Sequence, residues 1–302
     1  MWSNGPGVQP KSLAEHQQQF DELLIALNIP LDLPASEKLS RLRATSADKI
    51  VAVQDSLAQS EFRALSDGSF ISKSLFESIN DGSFAQKAKE RGIKILNGEC
   101  RDEHFLYESW RTPADSFDAV YYRLTADYPE AVIKKLMPIY CPDKKLPTWA
   151  KDWPDAFGGI YADMQVYAIE RGFIDKLDRG GLTIGKDVLR YRIEWRAKCV
   201  DVALPPQWKV THSSDMPIWF WGLGMGDGLT TEEKVILKDM NTFFARFVKG
   251  EDVQWSKLGP QWMHRLTDKG TMDMWKDELW EGGLAVWVAV NGDEKSAAIS
   301  RL

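Results

Sequence analysis

Residues 93–104 read IKILNGECRDEH, an apolar strand-like run followed by a loop rich in charged residues. The run 93–98 predicts a β-strand, and Glu103 lies in the loop just past it, a loop that we expect to begin at Glu99. A second strand is predicted over residues 189–195, where apolar and charged residues alternate with a period of two. The loop after that strand carries His212. The sequence thus predicts two strands, each followed by a residue able to take part in proton transfer.

The remaining patterns predict mainly helices. Apolar residues at helical spacing predict helices at residues 11–28, 39–42, 50–57, 82–91 and 114–176, the last interrupted by a Pro/Lys/Trp-rich loop at 141–154. Leu13 falls on the apolar face of the first of these helices. The clearest helical pattern spans 231–249, where Thr230 and Glu233 have the spacing of a capping box. Residues 284–290 form an apolar run too short to distinguish a strand from a helix.

Composition describes an ordinary globular chain. Of the 302 residues, 44% are hydrophobic and 27% are charged, and the net charge is −6. That charge gives no reason to expect binding to nucleic acid or to an acidic membrane. No apolar stretch approaches the roughly 20 residues needed to span a bilayer, so no transmembrane segment is expected. Thirteen tryptophans indicate a broad aromatic core or a large apolar pocket.

The cysteines favour a reducing compartment. Cys100, Cys141 and Cys199 are odd in number and widely spaced, which makes a disulfide framework unexpected, and no pair has zinc-ligand spacing. The first seven residues, MWSNGPG, have neither a basic start nor an apolar run, so we expect no signal peptide. A cytoplasmic location is therefore favoured for the chain as given, and the compartment of a longer parent stays open.

Five landmarks, taken in order, carry a family resemblance. They are SDGSF at 66–70, Asp102-Glu103 beginning five residues after Asn97, DMQVY at 163–167, HSSDMPIWF at 212–220, and the helix from 232 to 247 followed by Trp255. In this order they resemble the type-B carboxylesterases, an α/β-hydrolase family that includes cholinesterases and fungal esterases and lipases. The acid and histidine motifs are the specific ones.

The resemblance implies a fold class and a chemistry. The fold would be a partial α/β-hydrolase, with many helices around a reduced sheet, and residues 1–302 would be the C-terminal portion of one such domain. Glu103 and His212 would be the acid and the base of a Ser-Glu-His triad, in the chain order of an α/β-hydrolase. Asp215 would support the histidine loop by hydrogen-bonding its backbone. The substrate of the full-length parent would be a small carboxylic ester, with no metal and no organic cofactor.

The chain departs from the family pattern in two kinds of position. His104 replaces the glycine after the acid, and Ser213 replaces the glycine after the histidine. More seriously, the sequence contains no Gly-x-Ser-x-Gly and no glycine-rich oxyanion segment. The nucleophilic serine and the oxyanion donors would then lie upstream of Met1. We therefore expect little or no esterase activity from the isolated chain.

Other interpretations stay open at this point. The chain could be a non-catalytic esterase remnant that binds a partner protein or an apolar ligand, or part of an intact enzyme whose gene begins further upstream. A remnant would expose the sheet edge where missing strands pair, which allows self-association.

Several local alternatives are disfavoured. Contiguous residues at one strand end rarely converge on one metal ion, so a metal cluster is not expected at Glu99, Cys100, Asp102, Glu103 and His104. Cys100 lacks the strained elbow of a nucleophile. His16 and His264 lie in helix-like segments, and the aromatic run 216–221 is expected in the core. Arg190, Arg192 and Arg196 are expected on the polar side of a strand.

Overall fold

The structure is a computed structural model that describes residues 4–8, 10–255 and 258–292. The first three residues of the N-terminal stretch MWSNGPG lie outside the described residues. In the first part of the chain the helices are α1 (Leu13–Ala26), α2 (Ala35–Ala44), α3 (Ala47–Gln54), α4 (Leu75–Asn80), α5 (Ser83–Glu90), α6 (His104–Glu108), α7 (Phe117–Asp127) and α8 (Glu130–Tyr140). They are followed by α9 (Trp153–Gln165), α10 (Tyr167–Arg179), α11 (Met216–Trp219), α12 (Thr231–Val248) and α13 (Trp280–Asn291).

A small sheet of four strands lies among these helices. The strands are β1 (Ile95–Cys100), β2 (Val188–Ile193), β3 (Trp262–Leu266) and β4 (Met272–Lys276), arranged in the order β1-β2-β3-β4. β1 pairs with β2 in parallel from Ile95 opposite Val188 to Cys100 opposite Ile193. β2 pairs in parallel with β3, and β3 and β4 form an antiparallel hairpin. This mixed α/β architecture confirms the predicted class and is consistent with an α/β-hydrolase-like fold.

The first strand continues further than predicted. β1 includes Glu99 and Cys100, which the sequence pattern assigns to the loop. The strand continues because Glu99 is not solvated. Its carboxylate is fully buried and lies 2.8 Å from the guanidinium of Arg171 on α10. A charged residue usually marks the end of a buried strand because it needs water. When it has a buried partner of opposite charge, it can remain within the strand.

The β3–β4 hairpin was not predicted, and His264 is a correction. The sequence pattern places His264 in a helix-like segment, whereas it lies on β3. Its ring stacks on Trp255, with 4.3 Å between the ring centroids. β3 and β4 are mostly half-buried or exposed, so their residues lack the alternation of apolar and polar residues that identifies a strand.

Helices cover the sheet so thoroughly that β1 and β2 are buried at every position. α10 and α13 pack tightly against each other at Gly172, where an added Cβ would come within 2.2 Å of Trp287 Cγ. The undecided run 284–290 belongs to α13. At the two edges of the sheet, β1 is buried along its length and β4 is largely exposed. Self-association through a sheet edge stays a prediction.

A buried network of ion pairs corrects the expectation for Arg190 and Arg192. Both lie on β2 and both are buried rather than on a solvated face. Arg190 contacts Asp277 at 3.0 Å and Glu170 at 3.1 Å, and Arg192 contacts Glu99. α10 and the segment before α13 cover this side of the sheet and supply carboxylates to it. Burial is tolerated because each guanidinium has an acidic partner.

Two more arginines differ in their surroundings. Arg171 links the network across the fold, because its guanidinium lies 2.8 Å from both Glu99 and Asp277. Arg196 lies outside the network. It pairs with the half-exposed Asp201 at 2.8 Å, near the surface.

The helix predictions hold with small changes. α12 begins with the predicted capping box of Thr230 and Glu233, although its most buried apolar residues are Leu237 and Met240. Leu13, placed on the buried face of α1, is 69% exposed because the buried residues of that helix begin at Gln19. In the aromatic run 216–221, Ile218 and Trp219 are core residues, whereas Met216, Phe220 and Trp221 are exposed. Among the described residues, no helix has the length and apolar character needed to cross a membrane.

Candidate active site

Glu103 is held in place by the backbone at the end of β1. The Cys100 N–H donates to Glu103 Oε1 at 2.8 Å, so the strand end itself orients the carboxylate. The backbone N–H of Glu103 donates to the hydroxyl of Tyr167 at 2.9 Å, and that hydroxyl donates to Arg101 O at 2.7 Å. Glu103 is fully buried. The acid therefore has a fixed position.

The loop that carries His212 is attached to the same turn. Asp102 N–H donates to Val210 O at 2.9 Å, and Val210 N–H donates back to Asp102 Oδ2 at 3.1 Å. The Leu106 N–H donates to Thr211 Oγ1 at 3.0 Å. These contacts join two segments that follow the carboxyl ends of adjacent parallel strands, which is where the sequence analysis expects them to meet.

The two departures from the family pattern have local explanations. Ser213 has φ = 68°, in the left-handed region that favours glycine, so it adopts the conformation expected of the glycine it replaces. His104 begins α6, where helical backbone has no need of glycine. Neither substitution prevents the loops from reaching each other.

Glu103 and His212 are in direct contact. Glu103 Oε2 lies 2.6 Å from His212 Nδ1, a short distance typical of a charge-assisted hydrogen bond. Burial disfavours the imidazolium, but the hydrogen bond and charge of Glu103 outweigh it and raise the pKa of His212. Burial raises the pKa of Glu103, and hydrogen bonds from His212 and the Cys100 N–H offset part of that rise. The pair can store and return a proton.

Tyr107 is a neighbour of the histidine that the sequence reasoning missed. Its hydroxyl lies 3.3 Å from His212 Nδ1 and accepts a hydrogen bond from Asn4 Nδ2 at 3.1 Å. Burial raises the pKa of Tyr107, so the phenol stays protonated. The available signal was its position four residues after Glu103, which places both on one side of the turn that opens α6.

Asp215 lies beneath the histidine loop, with partners other than those expected. The sequence analysis predicts hydrogen bonds to the loop backbone. Instead, Asp215 Oδ2 accepts from Trp219 Nε1 at 2.8 Å and from the hydroxyl of Tyr191 at 3.3 Å. Trp219 comes one helical turn after Asp215, which explains the contact. The supporting role of Asp215 stays a prediction, and the two contacts of its carboxylate are with aromatic side chains.

The surroundings of Cys100, Glu99 and Asp102 bear on the alternative roles considered for this loop. Cys100 is buried, and burial raises the pKa of its thiol well above the usual value, which opposes a nucleophilic role. Within the part of the chain that the structure describes, no group of three His, Cys, Asp or Glu side chains could hold a metal ion. The Glu99 carboxylate is paired with Arg171, and the Asp102 carboxylate accepts a hydrogen bond from the Val210 N–H.

No family model matches the chain. A protein named carboxylic ester hydrolase from Gibberella moniliformis is 46% identical over 296 residues, which cover 98% of this chain and 54% of that protein. An uncharacterized esterase/lipase of Schizosaccharomyces pombe is 34% identical over 296 residues, covering 96% of this chain and 54% of that protein. These relatives support an ester-hydrolase lineage. The chain spans about half the length of the curated relatives it matches.

Proposed function

We propose that this chain supplies the acid and the base of a serine ester hydrolase of the type-B carboxylesterase kind. In this proposal residues 1–302 are the C-terminal portion of one hydrolase domain, and the serine comes from sequence outside this chain. The observation that carries the proposal is the 2.6 Å contact between Glu103 Oε2 and His212 Nδ1. The names of the two relatives support the same reaction class.

The histidine would act through its other nitrogen. Because Nδ1 contacts the carboxylate, Nε2 would take the proton from the serine hydroxyl as the oxygen attacks the ester carbonyl. The proton would then pass to the departing alcohol, leaving an acyl-serine. Water would repeat the sequence, giving its proton to Nε2 and its oxygen to the acyl carbon, which releases the acid and restores the serine.

Glu103 would hold the imidazole in the required tautomer and stabilise the imidazolium. The burial pattern supports this division of roles. Glu103 is fully buried, whereas the His212 side chain is 13% exposed. A buried carboxylate interacts strongly with an adjacent imidazolium, since little water screens it. The exposed part of the imidazole leaves room for a second reactant.

The isolated chain should be inactive on its own. In a serine hydrolase, loss of triad members still leaves roughly 10³–10⁴-fold catalysis when the oxyanion hole survives. The glycine-rich oxyanion segment has no counterpart in this sequence. We therefore expect the chain alone to hydrolyse p-nitrophenyl esters no faster than buffer, with no change on His212→Ala. A rate well above buffer that His212→Ala abolishes would contradict this expectation.

The decisive experiment is a chimera. The 296 matched residues of the Gibberella moniliformis relative are replaced by the corresponding part of this chain, and ester hydrolysis is measured beside the unmodified relative. The expected result is an active chimera that loses about 10³-fold or more of kcat/KM on His212→Ala. Labelling by a fluorophosphonate should also weaken, because the serine loses its base.

The matched control is His264→Ala, which removes an imidazole on β3 rather than in the histidine loop. It should leave hydrolysis within a few-fold of the parent chimera. A folded chimera that hydrolyses no ester while the unmodified relative does, or one indifferent to His212→Ala, overturns the proposal. The non-catalytic interpretation would then be the better one.

A further inference from the structure

A cavity of about 370 Å³ lies along one side of α9. Its lining includes two carboxylates, Asp155 and Asp163, and three aromatic rings, Tyr140, Trp149 and Tyr167. Neither Glu103 nor His212 lines the cavity, so a ligand bound there would not contact the proposed acid and base.

The spacing along α9 builds one wall of this cavity. Asp155, Gly159 and Asp163 are four residues apart, so they lie one above another on a single face of the helix. A Cβ added at Gly159 would come within 2.7 Å of Trp149 Cη2 and Cζ3. The indole therefore lies directly against the helix backbone between the two carboxylates. Glycine at this position allows the ring to approach so closely.

Asp163 lacks a counterion. Its Oδ2 accepts a hydrogen bond from the Tyr140 hydroxyl at 2.5 Å, and none of the described lysines, arginines or histidines lies within ion-pair distance. Burial raises the pKa of Asp163 to about 6, despite the Tyr140 hydrogen bond. At neutral pH this half-buried carboxylate is nevertheless ionised. The Tyr140 hydroxyl is its hydrogen-bond partner, and Arg171 lowers its pKa from beyond ion-pair distance.

The carboxylates that are buried in this protein have different surroundings from the half-buried Asp163. Glu99 and Asp277 each lie 2.8 Å from the guanidinium of Arg171, as buried charges usually do. Asp215 has no guanidinium next to it, but it is enclosed by packed aromatic side chains that donate two hydrogen bonds to one of its oxygens. Asp163 differs from these acids because it faces a cavity, which leaves space for a ligand beside it.

The nearby imidazole does not supply the missing charge. His104 also lines the cavity, but burial lowers its pKa, so it is neutral at neutral pH. The two carboxylates and the negative faces of the aromatic rings therefore leave the cavity attractive to a cation. The rings also provide apolar surface for a short hydrocarbon group.

We propose that this cavity binds a small primary alkylammonium ion. Its N–H groups would donate to Asp163, whose second oxygen is not used by Tyr140, and its alkyl chain would lie against Trp149. The cation would pair with Asp163 as the guanidinium of Arg171 pairs with Glu99 and Asp277. Tyr167, which lines the cavity, also accepts a hydrogen bond from the Glu103 N–H through its hydroxyl, so the cavity adjoins the Glu103 loop.

The test is a titration of the 302-residue chain with n-butylammonium chloride at about pH 8, where Asp163 is ionised. The Trp149 indole N–H signal in NMR spectra reports on the site. We expect n-butylammonium to bind about tenfold or more tightly than n-butanol, its uncharged analogue, because a charge-assisted hydrogen bond is lost in the alcohol. Equal binding of the two compounds overturns the proposal.

Variants locate the interaction. Asp163→Asn should weaken n-butylammonium binding about tenfold or more and leave n-butanol binding unchanged. The matched control, Asp118→Asn, removes an acid on α7 whose side chain is 89% exposed, and it should have no effect. If Asp163→Asn does not fold, Trp149→Leu should weaken binding several-fold by removing a ring face. Binding to this variant is measured by isothermal titration calorimetry, because the indole reporter is gone. If Asp163→Asn folds and binds n-butylammonium as the parent does, the cation binds elsewhere and the assignment is overturned. If only Trp149→Leu folds, unchanged binding by that variant has the same meaning.

Discussion

Glu103 Oε2 and His212 Nδ1 lie 2.6 Å apart although 109 residues separate them in the chain. Replacing Glu103 by Gln removes the charge that favours the imidazolium and leaves the burial that opposes it. We therefore expect Glu103→Gln to lower the pKa of His212 below that of the parent chain, as measured by NMR titration of the ring signals. Glu108→Gln, on the helix α6 that begins directly after Glu103, is the matched control and should leave the titration unchanged. A shared titration curve for Glu103→Gln and the parent would contradict the contact.

The same contact affects stability in a defined pH range. The folded pKa of His212 is raised, so the stabilisation from this group is full below its unfolded pKa of about 6.5. It is lost as the pH rises through the folded pKa.

Arg171 holds the buried network together through Glu99 and Asp277. Arg171→Met would leave two buried carboxylates short of a partner, which should cost about 3–5 kcal/mol of unfolding free energy. Urea denaturation monitored by tryptophan fluorescence measures this loss. Arg179→Met breaks a pair with Asp175 in which the arginine is 70% exposed, and should cost no more than about 0.5 kcal/mol. An equal loss of unfolding free energy in the two variants would contradict a stabilising role for Arg171 in the buried network.

Gly172 and Gly282 make a matched pair of helix glycines. An added methyl at Gly172 meets Trp287 at 2.2–2.3 Å, so Gly172→Ala should destabilise the chain by about 1–3 kcal/mol through overpacking of α10 against α13. At Gly282 an added Cβ meets nothing within 4 Å. Gly282→Ala should therefore stabilise α13 by about 0.5–1 kcal/mol. Thermal unfolding of both variants checks the opposite signs.

Asp163 should make the free energy of unfolding depend on pH in the acidic range. Burial raises its folded pKa to about 6 from an ordinary 3.8, so the folded state binds the proton more tightly and stability falls as the pH rises from about 4 to 6. Asp163→Asn resembles the protonated form. It should be more stable than the parent by about 3 kcal/mol at neutral pH, with the difference becoming small near pH 4.

Comparison with the exposed Asp118→Asn separates this effect from a general loss of negative charge. A difference between Asp163→Asn and the parent that does not vary between pH 4 and pH 7 would contradict the role of Asp163. Other titrating groups, His104 among them, cancel in the comparison because they are present in both proteins.

Local patterns predicted the elements better than their surroundings. The alternation over 189–195 identified β2, and the capping-box spacing identified the start of α12. The same alternation suggested a solvated face for Arg190 and Arg192, because a sequence does not show which distant acids will cover that face. The acids that pair with Arg190 come from α10 and from Asp277, 20 and 87 residues away from it.

The candidate site shows a similar division. Motif order along the chain was enough to bring Glu103 and His212 together as hypothetical partners. The neighbours of the pair were harder to predict. Tyr107 carries no motif and its spacing from Glu103 is the only signal, and Asn4 contacts Tyr107 only through the fold. The β3–β4 hairpin was missed for a related reason. Its half-exposed residues have no periodic pattern. The pairing of β3 with β2 and of β4 with β3 is what makes them strands.

The parallel pairing of β1 with β2 has a consequence for synthesis. When Glu103 leaves the ribosome, the loop that carries His212, its buried hydrogen-bond partner, is still about a hundred residues from being synthesised. The nascent chain can therefore form its helices early, but the acid must stay hydrated until β2 and the histidine loop arrive. We therefore expect closure of the sheet and assembly of the acid–base pair to occur together and late, so a ribosome-bound chain stalled before His212 should still present Glu103 to water.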